Sequence, residues 1–154
     1  MPSSEPKKTT SKMTRSAADK KLRRFRGVVM PLAGHKSIRA VRRAGHEPSI
    51  HGTKLWKSSC LIIDYLKKHP PKRRKRALDA GCGWGVTGIW CAKEWGSKVV
   101  SMDADPAVFP YLDAVAELNG VSTERWVQRF ERVRKRDLEK VDILFGGDIC
   151  FWDE

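Results

Sequence analysis

Large apolar residues are scarce in the first third of the chain and become periodic only beyond residue 51. Met1 to about Gly27 is built from Ser, Thr, Lys and Arg, so it carries too little apolar surface to offset chain entropy and is expected to be a disordered basic tail. Val28 to Ile50 holds short apolar pieces (Val28-Val29-Met30, Ile38, Val41) among Arg and His. This pattern predicts a weakly structured lead-in with a short helix over Ser37 to Ala44 and no site. From residue 51 to 154 the pattern predicts a folded domain. Ser58 and Ser59 can cap a helix to about Lys68 with Leu61, Ile62 and Leu66 on its apolar side, and His69-Pro70-Pro71 stops it.

A regular alternation follows. Ala77 to Gly81 reads as a strand and Gly85 to Trp95 as a helix with Val86, Ile89, Trp90 and Ala92 inward. Lys98 to Asp103 is a second strand. Pro106 suits the first turn of a helix carrying Val108, Leu112, Val115, Ala116 and Leu118, and Asn119-Gly120 ends it. Arg125 to Arg129 is a third strand, Phe130 to about Val141 a charged helix or helix-loop, and Asp142 to Phe145 a fourth strand before Gly146-Gly147. Strands alternating with helices mark an α/β fold around a parallel sheet with right-handed crossovers.

Charge divides the 154-residue chain in two. Met1 to Arg76 holds 22 basic and 4 acidic residues, whereas Ala77 to Glu154 holds 9 basic and 14 acidic. The nine basic residues of the tail are read as solvated, with nucleic-acid or ribosome contact and an organellar transit peptide as alternatives. Met13 and Met30 are alternative starts to Met1. The run Lys72 to Arg76 is read as a solvated loop, with a binding patch as its rival. No apolar run approaches the roughly 20 residues of a membrane-spanning helix. Four cysteines without C-x-x-C spacing, and no apolar leader, imply free thiols and a cytoplasmic location. His35, His46 and His51 lack cysteine partners at finger spacing, so no metal is expected.

Chemistry concentrates in Asp79-Ala80-Gly81-Cys82-Gly83-Trp84-Gly85. Glycines at alternate positions after a strand let the backbone turn sharply and approach a ligand, and the next helix opens with free N–H groups. Asp79, two residues before the first glycine, can receive a ligand ammonium group. Asp103, at the carboxyl end of the second strand, can accept hydrogen bonds from both hydroxyls of a ribose. The pair calls for a nucleoside joined to a zwitterion. S-adenosylmethionine fits this better than NAD, whose pyrophosphate an ionised Asp79 would repel. Another nucleotide-binding turn, or no site, are the alternatives. Trp84, Trp90 and Trp95 are read mainly as packing residues, and Cys82 has no partner His to make it a nucleophile.

On these residues, about His51 to Glu154 resembles the class I S-adenosylmethionine-dependent methyltransferases. It is most similar to their family-16, protein-lysine methyltransferase-like group. The likeness rests on His51-Gly52 with Leu55-Trp56-Lys57-Ser58-Ser59, on Asp103-Ala104-Asp105-Pro106, and on Gly147-Asp148-Ile149-Cys150-Phe151-Trp152. It implies a Rossmann-like doubly wound sheet with strands in the order 3-2-1-4. It further implies that Asp79 and Gly81 hold the methionine end and Asp103 the ribose, that Gly83 and Ala104 also bind the cofactor, and that Phe130 lies beside adenine with Glu131 near its amino group. Trp56 would cover the methionyl portion. Asp148, and Phe151 where a Tyr is commoner, would stand at the acceptor, with Asp148 orienting an amine, that of a protein lysine in the family-16 likeness.

The family fold has seven strands and this chain ends after the fourth, so residues 51–154 are expected to be a partial domain from a truncated product or fragment, with the last strand as a bare apolar edge. The expected function is methyl transfer from S-adenosylmethionine to a protein or small amine. The rival readings are a catalytically silent module tethered to RNA or a ribosome by its tail, and a dinucleotide-binding domain.

Overall fold

The computed structural model describes residues 19–49, 52 and 54–149. The tail as far as residue 18, and Phe151 and Trp152, lie outside the described residues.

Four parallel strands form the central sheet: β3 (Arg76–Ala80), β4 (Lys98–Asp103), β5 (Glu124–Val127) and β6 (Ile143–Phe145), in the order β5-β4-β3-β6. In chain order of these strands this is 3-2-1-4, the arrangement the resemblance implies. β3 and β4 are central and largely buried, with Ala77, Leu78, Ala80, Val99 and Met102 as their buried apolar positions. β6 is an outer strand, and its Leu144 is exposed.

Three helices cover one face. These are α2 (Ser58–Lys68), α3 (Val86–Trp95) and α4 (Phe109–Asn119), with α3 packed between the other two and against β3 and β4. Ala77 and Val99 meet Ile63, Ile89, Trp90 and Val115 in this main core. The opposite face is smaller, with Leu78, Ala80 and Met102 packed against Trp126, Val133, Leu138 and Val141. Glycines and a capping carboxylate set several helix ends. Gly96 and Gly120 terminate α3 and α4 in left-handed conformation, and Asp105 caps a 3-10 turn at Pro106–Val108 that leads into α4.

The lead-in is more ordered than its composition predicts. β1 (Leu22–Phe25) and β2 (Val28–Pro31) form an antiparallel hairpin that spans the expected tail boundary at Gly27, and α1 (Lys36–Arg43) follows. Val28, Met30 and Ile38 are buried in the main core, β2 packs on α3 and α4, and α1 packs on α4. A three-residue apolar run is unremarkable in sequence; the surface that receives it comes from helices 60 to 90 residues later.

One further expectation changes, and one pair of alternatives is decided for the helix-loop. Lys57, not a serine, stands at the N-cap of α2 and makes no side-chain cap bond, while the Ser58 hydroxyl turns to Asp148. The stretch from Phe130 to Val141 is not one helix. It is a 3-10 turn at Phe130–Arg132 and a single helical turn, α5 (Lys135–Leu138), because only Val133, Leu138 and Val141 pack on the sheet and the rest is charged.

Candidate functional site

Side chains alternate along a strand, and β3 and β4 pair with Asp79 opposite Ser101. Asp79 and Asp103 therefore belong to the same face of the sheet, the one that carries α3. Both line one cleft of about 230 Å³ at the carboxyl ends of the strands. That is where open parallel sheets hold ligands.

The glycine turn builds the cleft floor. Gly85 has φ +69°, and a Cβ there would lie 2.0 Å from Leu112 Cδ1, so neither the conformation nor the space admits a side chain. A Cβ on Gly81 would lie 2.6 Å from Ile149 Cγ2 and 3.3 Å from Phe130 Cζ. Cys82 N–H donates to Met102 O at 2.9 Å and Gly85 N–H to Cys82 O at 2.7 Å, which fixes the turn against β4. Gly85, Val86 and Thr87 bring the first turn of α3 to the cleft.

The two carboxylates differ in environment. Asp79 is 4% exposed, and Gly88 N–H, 3.0 Å from Oδ2, is its hydrogen-bond donor among the described residues. Burial pushes its carboxyl up to about 7; the Gly88 bond opposes this shift and the charge of Asp103 adds to it. Asp103 is half-buried and fixed by backbone: Gly83 N–H donates to Oδ2 and Asp105 N–H to Oδ1, each at 3.0 Å. Each carboxylate oxygen accepts more than one hydrogen bond, so Asp103 keeps capacity on both for a ligand.

Trp56, Gly81, Gly83, Ala104, Phe130 and Asp148 join the two carboxylates in the cleft lining. Lys54 Nζ lies 4.3 Å above the Trp56 ring. Ser58 Oγ donates to Asp148 Oδ2, and Asp148 adopts φ +54°, a left-handed conformation that Asp tolerates better than most residues. Glu131 is not brought to the cleft. Its exposed side chain lines a separate depression with Trp126, Gln128 and three arginines, because the 3-10 turn directs residues 130 and 131 apart.

Trp84 serves packing as well as the cleft: it is buried, stacks on Tyr111 with centroids 5.2 Å apart, and donates Nε1–H to Gly52 O at 2.8 Å. Trp90 and Trp95 meet edge to face in the core. Burial raises the Cys82 thiol, with Asp79 and Asp103 adding to the shift, which removes thiolate character. Among the described residues no group of three His, Cys, Asp or Glu could hold a metal ion, and no helix is long and apolar enough to cross a membrane.

Gly88, Thr87, Ser58 and Ile149 escaped sequence reasoning. Gly88 carried the one available signal, since a glycine inside a helix asks for a close neighbour. The contact between Ser58 and Asp148, 90 residues apart, carried none.

Residues 49–143 match the model of a family described as methyltransferase small domain, a stretch that contains the glycine turn, both carboxylates and Phe130. No curated protein matches the chain.

Proposed function

The chain belongs to the methyltransferase small domain family, and we propose that it binds S-adenosylmethionine between Asp79 and Asp103 and transfers its methyl group to an amine acceptor. The observation that carries this reading is the pairing of two unlike carboxylates in one glycine-walled cleft. A buried carboxyl with a single backbone donor gains most from a ligand cation, and Asp79 is such a group. A pyrophosphate has no cation to offer it. Asp103, held by two backbone donors, has the remaining acceptor capacity that a ribose diol requires.

In this reading Asp79 receives the ammonium group of the methionine end, with Gly81 and Gly83 giving the backbone close approach. Asp103 takes the ribose hydroxyls beside Ala104, Phe130 flanks adenine, and Trp56 covers the methionyl chain. Bound S-adenosylmethionine supplies an electrophilic methyl group on a sulfonium, and the transfer depends on proximity and alignment more than on a dedicated base. Asp148, steadied by Ser58, orients the acceptor amine and holds its proton at the carboxylate. Phe151 follows Asp148 by three positions in the sequence.

Equilibrium dialysis of the full chain against S-adenosylmethionine and against NAD tests the reading. Retention of S-adenosylmethionine alone supports it; retention of NAD alone, or of neither, overturns it.

A further inference from the structure

The hairpin and α1 precede the stretch matched to the family model, and they carry a charge pattern that the cleft does not use. Residues 19–49 hold nine basic side chains against two acidic ones, and six of the nine are arginines. Three cations of α1 stand in register. Ile38 is buried and Val41 half-buried, so that side of the helix seats on α4. At 100° per residue, Lys36, Arg39 and Arg43 fall on the opposite side, and all three are exposed. α1 has no acidic residue, and no carboxylate among the described residues pairs with Lys36, Arg39 or Arg43.

The hairpin that precedes α1 is fixed to the helices. Asn119 Oδ1 accepts from Val29 N–H and Nδ2 donates to Val29 O, both at 2.8 Å. Lys93 Nζ donates to Gly27 O at 2.6 Å, and Arg26 pairs with Asp64 at 2.8 Å. The hairpin is thus tied to α2, α3 and α4, and α1, which bears the stripe, rests on α4.

We infer that the outward face of α1 is a docking surface for the phosphate backbone of a nucleic acid. Positions 36, 39 and 43 span about 10 Å of helix at about 1.5 Å per residue, the axial length that about three phosphates occupy at about 3.4 Å each along a strand. Arginine forks match phosphate geometry. An anionic membrane surface fits less well. A helix lying in a membrane needs its apolar face free, whereas that of α1 is spent on α4, and none of the exposed large apolar residues falls within residues 19–49.

The test is fluorescence anisotropy of the full chain with a labelled single-stranded RNA across a salt series. The comparison is with a Lys36→Gln/Arg39→Gln/Arg43→Gln variant and a charge-matched control, Lys72→Gln/Arg73→Gln/Lys75→Gln. The three α1 residues are exposed, and S-adenosylmethionine binding in the same preparations reports an intact fold. The wild type should bind with strong salt dependence. The α1 variant should bind about tenfold or more weakly, with the slope of log affinity against log salt shallower by about 2, and the control should keep the wild-type slope. Equal losses in both variants would assign the binding to net charge and overturn the inference. So would an unchanged α1 variant, or binding to phosphatidylserine vesicles without binding to RNA.

Discussion

Gly88 N–H donates to Asp79 Oδ2 at 3.0 Å, and a Cβ built on Gly88 would lie 2.9 Å from that same oxygen and 2.9 Å from Val99 Cγ1. The helix backbone and the buried carboxylate are thus in direct contact, with no room for a side chain between them. Gly88→Ala should displace the Asp79 carboxylate and weaken S-adenosylmethionine binding, and overpacking should cost about 1–3 kcal/mol. Calorimetric titration and thermal melts of the same variant read both effects. An alanine that leaves affinity and stability unchanged would mean that the contact is loose.

The raised carboxyl of Asp79 makes binding and stability depend on pH. Folded Asp79 holds its proton up to about 7 against an ordinary 3.8, so the native state binds more protons than the unfolded one between these values, and stability falls as pH rises through that window. Asp79→Asn keeps an oxygen for Gly88 N–H and removes the titration. It should flatten this part of the stability profile and raise stability at neutral pH, by at most about 4 kcal/mol. A cationic ligand has the opposite effect on the proton. S-adenosylmethionine should expel about half a proton at a pH equal to the carboxyl's own value, measured by calorimetry in buffers of different ionisation enthalpy, and Asp79→Asn should expel none.

His35 provides a second titration of the opposite sense. Its Nδ1 accepts from Ser37 N–H at 3.3 Å as the N-cap of α1, and burial, with Lys36 and Lys21 adding to it, lowers its pKa from 6.5. The unfolded state therefore binds more protons just below 6.5. The stability that neutral His35 confers is complete above 6.5 and is lost as pH falls through the lower native value. His35→Asn retains a cap acceptor and should abolish this acid-side loss. Urea unfolding across the acid range reads the slope, and a slope unchanged in the variant would assign the acid-side loss to groups other than His35.

Asn119 acts as a one-residue third strand for the hairpin, since its side chain pairs with both polar groups of Val29 and also donates to Val115 O at 2.8 Å. Asn119→Ala leaves these buried groups unpaired and should cost about 1–3 kcal/mol. Hydrogen exchange should show residues 22–31 losing protection ahead of the central sheet. Uniform loss throughout the fold would show instead that the hairpin and sheet unfold as one unit.

Much of the α/β frame was legible because its signals are local. Pro106 and Asn119-Gly120 bracket α4, and the spacing of Asp79, Gly81, Gly85 and Asp103 marks a strand, a turn and a second strand. What was missed depends on distant partners. Val28-Val29-Met30 becomes a core strand only because Asn119 and the surfaces of α3 and α4 receive it. Ser58 resembles a cap in sequence but bonds to Asp148, 90 positions away. The separation of Glu131 from the cleft depends on the rotation of a three-residue 3-10 turn, which is too short to carry a period. The segment from Phe130 to Val141 has helix-like charge spacing, yet without a broad apolar stripe only one helical turn persists.

The central claim is tested most directly at Asp103, whose side chain takes part in no apolar core cluster and whose replacement should leave the sheet intact. Calorimetric titration of S-adenosylmethionine into the wild type should saturate near one equivalent, and into Asp103→Ala it should give no measurable binding while circular dichroism remains native. An Asp103→Ala variant that binds S-adenosylmethionine as tightly as the wild type would contradict the account.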